Sequence, residues 1–143
     1  MAFLSERDQA AVRTEFEKLG GPVKLVVFSQ ELIAGDLCRQ NEQLMREVAE
    51  LTDSRATVEV LNPVIDRERA AAYGVDQVPA TVVEGARDYG IRFYGIPSGY
   101  EFSNLIDAMI VASTGTPELS EVTRDSLAGL TADVQIKVFS TPT

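Results

Sequence analysis

The chain has 143 residues, 45% of them apolar, and a formal net charge of −9, which suits one globular domain, or one and a fraction, with its own core. The acidity argues against nucleic acid as a partner, because phosphate binding relies on clustered Lys and Arg that release counterions. With no histidine and a single cysteine, Cys/His zinc sites, a histidine-based triad and an internal disulfide framework are excluded, and neither a metal nor a cofactor is expected.

The first residues, Met1-Ala2-Phe3-Leu4-Ser5-Glu6, lack a basic stretch leading into a long apolar one, and no apolar run approaches the roughly 20 residues of a membrane span. No membrane association and a cytoplasmic location are therefore the expectations. Ser5 with an acidic residue at Asp8 reads as a helix N-cap, and Ala11, Val12, Phe16 and Leu19 follow at helical spacing until Gly20-Gly21-Pro22 stops the run. Val23-Lys24-Leu25-Val26-Val27-Phe28 is almost unbroken apolar, as in a strand covered on both faces. A loop over residues 29–35 then leads into a helix over residues 36–51, with Leu37, Leu44, Met45, Val48 and Leu51 inward and Cys38 in the first turn.

Residues 57–61 alternate as a second strand closed by Asn62-Pro63, and a short helix over residues 67–73 ends at Gly74. A helical crossover separates the first two strands, so they are expected to be parallel. Residues 80–83 and 91–94 read as two strands of a hairpin joined by a polar, glycine-bearing connection, which makes the sheet mixed. After the turn Gly95-Ile96-Pro97-Ser98-Gly99, the residues Phe102, Leu105, Ile106, Met109 and Ile110 mark an amphipathic helix ending near Gly115. Gly20-Gly21 precedes a strand and lacks the Lys-Ser/Thr spacing of a phosphate loop. Glu42, Glu47 and Glu50, interleaved with Arg39 and Arg46, read as a solvated helix face.

The tail restarts the pattern. Ser120-Glu121 opens another helical stretch, and Val134-Gln135-Ile136-Lys137-Val138-Phe139-Ser140 echoes the segment from Val23 to Ser29. Helix and strand recur in the order seen at the start. Two units are thus expected: residues 1–115 as a domain, and residues 116–143 as the first helix and strand of a second.

The order β-α-β-α-β-β-α, together with Pro22 to Phe28, Val78-Pro79-Ala80-Thr81 and the long segment from Gly90 to Phe102, resembles the N-terminal half of the protein disulfide oxidoreductases of archaea and thermophilic bacteria. Those proteins join two thioredoxin-like (glutaredoxin-like) units in tandem. The resemblance implies a thioredoxin-like α/β fold, a mixed four-stranded sheet flanked by helices, with an extra helix and strand at the end. It also implies that Phe139-Ser140-Thr141-Pro142-Thr143 runs in to the Cys-Pro-Tyr-Cys of a second unit. At the Cys-x-x-Cys of the first unit this chain reads Gly35-Asp36-Leu37-Cys38, so Cys38 matches the inner cysteine and Gly35 stands in the place of the attacking one.

In such a motif the outer thiol draws stabilisation from the free N–H groups and positive end of the helix, while the inner thiol is shielded and a poor nucleophile. Three readings of Cys38 follow: a small apolar side chain packed under the helix start, a slow single-thiol site able to form mixed disulfides with glutathione or protein, or an intermolecular disulfide or oxidation sensor. For Val78-Pro79 the resemblance implies a cis-proline facing the active-site helix, with Val78 offering backbone hydrogen bonds to an extended substrate; a turn that merely pins the strand is the other reading. The function this implies is a degenerate unit that scaffolds or docks thiol-disulfide exchange, with single-thiol chemistry at Cys38 as the alternative. The expected partners are protein thiols or disulfides, or a second thioredoxin-like unit, and the apolar strand in the tail makes a homodimer possible in principle.

Overall fold

The strand Val23–Phe28 (β1) sends alternate side chains to opposite faces of a sheet, and that alternation organises everything else. In the computed structural model, which describes residues 2–141, Leu25 and Val27 enter one apolar layer and Val26 and Phe28 enter another. All four are fully buried. β1 pairs in parallel with Ala56–Leu61 (β2) and antiparallel with Ala80–Glu84 (β3), which in turn pairs antiparallel with Asp88–Tyr94 (β4). The sheet order is β2-β1-β3-β4.

Five helices accompany the sheet among the described residues: Glu6–Phe16 (α1), Glu31–Glu50 (α2), Arg67–Tyr73 (α3), Tyr100–Thr114 (α4) and Glu121–Ala128 (α5). Val12 and Phe16 of α1, Leu44, Met45 and Val48 of α2, and Leu105 and Met109 of α4 fill the larger layer with Leu25, Val27 and Val83. Ala70 of α3 joins Val75, Ala80 and Val82 in the smaller one. Local chemistry agrees with these bounds. Ser5 Oγ accepts from the Asp8 N–H at 3.2 Å at the start of α1, and Gly74 takes the left-handed conformation that closes α3 (φ 66°). The hairpin between β3 and β4 leans so closely on α4 that a Cβ on Gly85 would fall 1.7 Å from the Ala112 carbonyl oxygen. No helix among the described residues is long and apolar enough to cross a membrane.

Several expectations are corrected. The helix predicted from residue 36 starts at Glu31, because residues 31–33 form a helical turn before Ala34 (φ −143°, ψ 43°) breaks the run and a second segment resumes. Leu37, predicted inward, is half exposed. The buried stripe of α2 runs through Cys38, Asn41, Leu44, Met45 and Val48, and one residue back from Cys38 lies about 100° around the helix. The first helix stops at Phe16, and Leu19 reaches the core from a turn instead.

The largest correction concerns the tail. Its helix forms as α5, with Ser120 Oγ accepting from the Thr123 N–H at 3.2 Å, the same cap that opens α1. The predicted strand over residues 134–139 does not form. A strand needs a neighbour for its N–H and C=O groups, and both sheet edges, β2 and β4, lack any pairing with it. Val134, Ile136, Val138 and Phe139 consequently lie exposed. Pro142 and Thr143, the end of the expected run-in, fall outside the described residues.

Candidate functional site

The sheet register gathers the sequence-predicted site at one end. Phe28 sits opposite both Leu61 and Ala80, and Ala80 opposite Tyr94, so the exits of β1, β2 and β4 and the entry of β3 share one edge. From β1 the chain passes through Ser29, whose N–H donates to the Leu61 carbonyl at 2.9 Å, into α2. The break at Ala34 makes Gly35 the first residue of the long helical segment and puts Cys38 one turn in.

Cys38 is fully buried. Its Sγ accepts from the Gln30 N–H at 3.4 Å, tying the helix back to the residues leaving β1. Asp36 and Arg39 pair with each other on the solvent side. Gly35 is half-buried, and a side chain there would meet only a guanidinium nitrogen of Arg39 at 3.2 Å and Glu31 Cβ at 3.9 Å. A Cβ at residue 35 needs only the flexible, solvent-exposed end of Arg39 to give by a few tenths of an ångström.

The Val78–Pro79 peptide bond is cis. Pro79 is buried, and its carbonyl accepts from the Gly95 N–H at 2.9 Å, which fixes the entry of β3 against the exit of β4. Val78 is half-buried against the smaller apolar layer. Among the described residues its own N–H and C=O take no part in a backbone hydrogen bond. Around this edge stand exposed apolar side chains: Leu32, Ile33 and Leu37 in the first turns of α2, Val64 and Ile65 after β2, and Tyr100 at the start of α4.

Two residues missed by the sequence reading connect the parts. Asn41 lies one turn beyond Cys38 on the same buried stripe, and its Nδ2 donates to Thr81 Oγ1 at 3.0 Å. Both are fully buried. The bond joins the helix bearing Cys38 to the strand that begins after Pro79. Its signal in the sequence was an amide in an otherwise apolar stripe at spacing i, i+3, i+7. Elsewhere, on the outer end of the sheet, Lys24 and Arg69 both hold the Glu59 carboxylate, and hydrogen bonds from Arg69 and Lys24 pull its pKa down to about 2.

A mixed sheet in the order β2-β1-β3-β4, a helix start bearing one cysteine, and a cis-proline at the same edge define a thioredoxin-like fold. Comparison with solved structures agrees. The chain superimposes on the alkylhydroperoxide reductase component AhpF of Enterococcus faecalis, in its C503A mutant, with a TM-score of 0.80, 24% identity, 90% of this chain and 62% of that one. A second structure, of the N-terminal domain of the same Enterococcus faecalis protein, gives 0.75 at 22% identity over 87% and 60%. A protein disulfide oxidoreductase from Aeropyrum pernix gives 0.76 at 22% identity over 91% of this chain and 56% of that one. The chain thus spans about three fifths of the length of the structures it matches. No family model matches it, and no curated protein does.

Proposed function

We propose that this chain is a degenerate thioredoxin-like, glutaredoxin-like unit of the protein disulfide oxidoreductase kind, which docks or scaffolds its partners without carrying out dithiol exchange itself. One observation carries the reading: the only thiol is fully buried and glycine stands where the attacking thiol of a Cys-x-x-Cys would be. A fully buried thiol cannot be reached in line by an approaching disulfide, and exchange needs an accessible thiolate. What remains is recognition. The unpaired N–H and C=O of Val78 suit an extended peptide laid beside β3, and the exposed apolar side chains around it suit side chains of that peptide.

The partners on this reading are proteins carrying thiols or disulfides, or a second thioredoxin-like unit. Residues 1–115 are the docking unit on this reading and residues 116–143 belong to a second; pairing of residues 134–139 with strands of that second unit, or with a second copy in a homodimer, would cover their exposed apolar side chains. The cytoplasm is the proposed compartment, since a single unpaired thiol suits a reducing environment.

Insulin reduction and Ellman's reagent test the reading together. No turnover at thioredoxin-like rates is expected, and Cys38 should react only after denaturation. Rapid reaction of the native thiol would favour single-thiol chemistry at Cys38, and insulin turnover would overturn the docking role.

A further inference from the structure

Asn41 Oδ1 is the one buried side-chain polar atom among the described residues without a hydrogen-bond partner. Buried acceptors are rarely left so, because each gives up its hydration without a replacement. The Nδ2 of the same amide is committed to Thr81 on β3, which holds the side chain in place and leaves Oδ1 its free end. One turn earlier on the same stripe, Cys38 is equally buried. Its sulfur accepts from Gln30, and its S–H hydrogen has no acceptor among the described residues. Residues three apart on a helix are neighbours on one face, yet no hydrogen bond joins Cys38 to Asn41 among the described residues, and one water between them would serve the thiol as acceptor and the amide oxygen as donor.

We propose that the Cys38 thiol donates, through a single internal water, to Asn41 Oδ1, and that Asn41 is the positioning residue that keeps this thiol a hydrogen-bond donor. The connected series then runs from the Gln30 N–H to the sulfur, from the thiol hydrogen through the water to the Asn41 amide, and from Nδ2 to Thr81 Oγ1. It spans the exit of β1, the start of the long segment of α2 and the entry of β3, the three segments that frame the candidate site. An amide oxygen accepts a hydrogen bond without taking the proton. Asn41 therefore satisfies the thiol without activating it, whereas a carboxylate at the same position could remove its hydrogen.

Because Cys38 is the only cysteine, the S–H stretching band in the infrared spectrum belongs to it alone. In the parent chain the band is expected on the low-frequency, hydrogen-bonded side of a free thiol. Asn41→Leu, which keeps the volume and removes the acceptor, should move it up to the free-thiol position. A free-thiol band in the parent chain overturns the proposal without any variant, and so does a band that ignores Asn41→Leu in a folded protein. A persistent nuclear Overhauser contact between bulk-exchanging water and the Asn41 amide protons is expected in the parent chain; its absence there removes the bridging water and with it the proposal. None of these readouts depends on docking: a chain that bound no partner would show the same band.

Discussion

Replacing Gly35 by cysteine tests whether the site has lost only its attacking thiol. The backbone at Gly35 is in the ordinary right-handed region, and the added Cβ would press only on the far end of the Arg39 side chain at 3.2 Å. That end is flexible and solvent-exposed, so it can give way. Glycine costs about 1 kcal/mol relative to alanine in a helix and cysteine some 0.6, hence the reduced Gly35→Cys protein should be as stable as the parent within about 0.5 kcal/mol. Oxidation closes a four-residue loop, for which the chain-entropy relation gives at most about 2 kcal/mol. Part of this is spent on geometry: helical neighbours three apart start roughly 5–6 Å between Cβ atoms, and a disulfide wants about 3.5–4.5 Å. The break at Ala34 is where the backbone can yield.

Urea denaturation with and without reductant measures both forms, and mass spectrometry after alkylation counts the free thiols. The expected outcome is a monomeric, internally bridged protein, up to about 2 kcal/mol more stable oxidised than reduced, with insulin reduction that the parent lacks. If the introduced thiol bridges only between molecules, or oxidation unfolds the chain, then Gly35 is not the equivalent of the attacking position and the assignment of Gly35-Asp36-Leu37-Cys38 fails.

Two other outcomes follow from geometry alone. With its pKa lowered to about 2 by Arg69 and Lys24, Glu59 contributes stability that is fully present above about pH 4.5 and is lost as the pH falls toward 2; thermal melts of Glu59→Gln should flatten that slope, and an unchanged slope would mean the ion pairs do not persist in water. Every described residue beyond Gly115 is exposed, so ending the chain at residue 116 should leave the melting temperature within about 2 °C, less than a change of 1 kcal/mol would produce, whereas a larger fall would mean the tail is packed in solution.

The sequence displayed the elements that owe their form to local chemistry. The unbroken apolar run of β1, the Gly74 stop and the hairpin each have a short-range cause, and their bounds lie within a few residues of those observed. Asn41 was hidden because an amide on a helix face has no local reason to be inside; only Thr81, forty residues away, supplies one. Residues 134–139 failed in the opposite way. Their alternation is as strand-like as any in the chain, but alternation specifies a face, and pairing needs a neighbour with free N–H and C=O groups. Leu37 misled for a third reason, since two adjacent apolar residues, Leu37 and Cys38, fit helical stripes one step apart and only packing selects between them.

The shape of the site and its thiol chemistry rest on different residues. The helix bearing Cys38 is held by Met45 and Val48 in the apolar layer, by the Gln30 N–H at its sulfur and by the Asn41–Thr81 bond. The entry of β3 is held by the Pro79 carbonyl. Gly35 takes part in none of these, so the identity of residue 35 can change without loosening the frame around Val78. By contrast, Thr81→Val would remove the acceptor that Asn41 Nδ2 uses and leave that donor buried and unpaired, a cost of about 1–3 kcal/mol in a urea denaturation. The cis-proline edge thus keeps its place whichever residue stands at position 35, which is the physical condition that the proposed docking role requires.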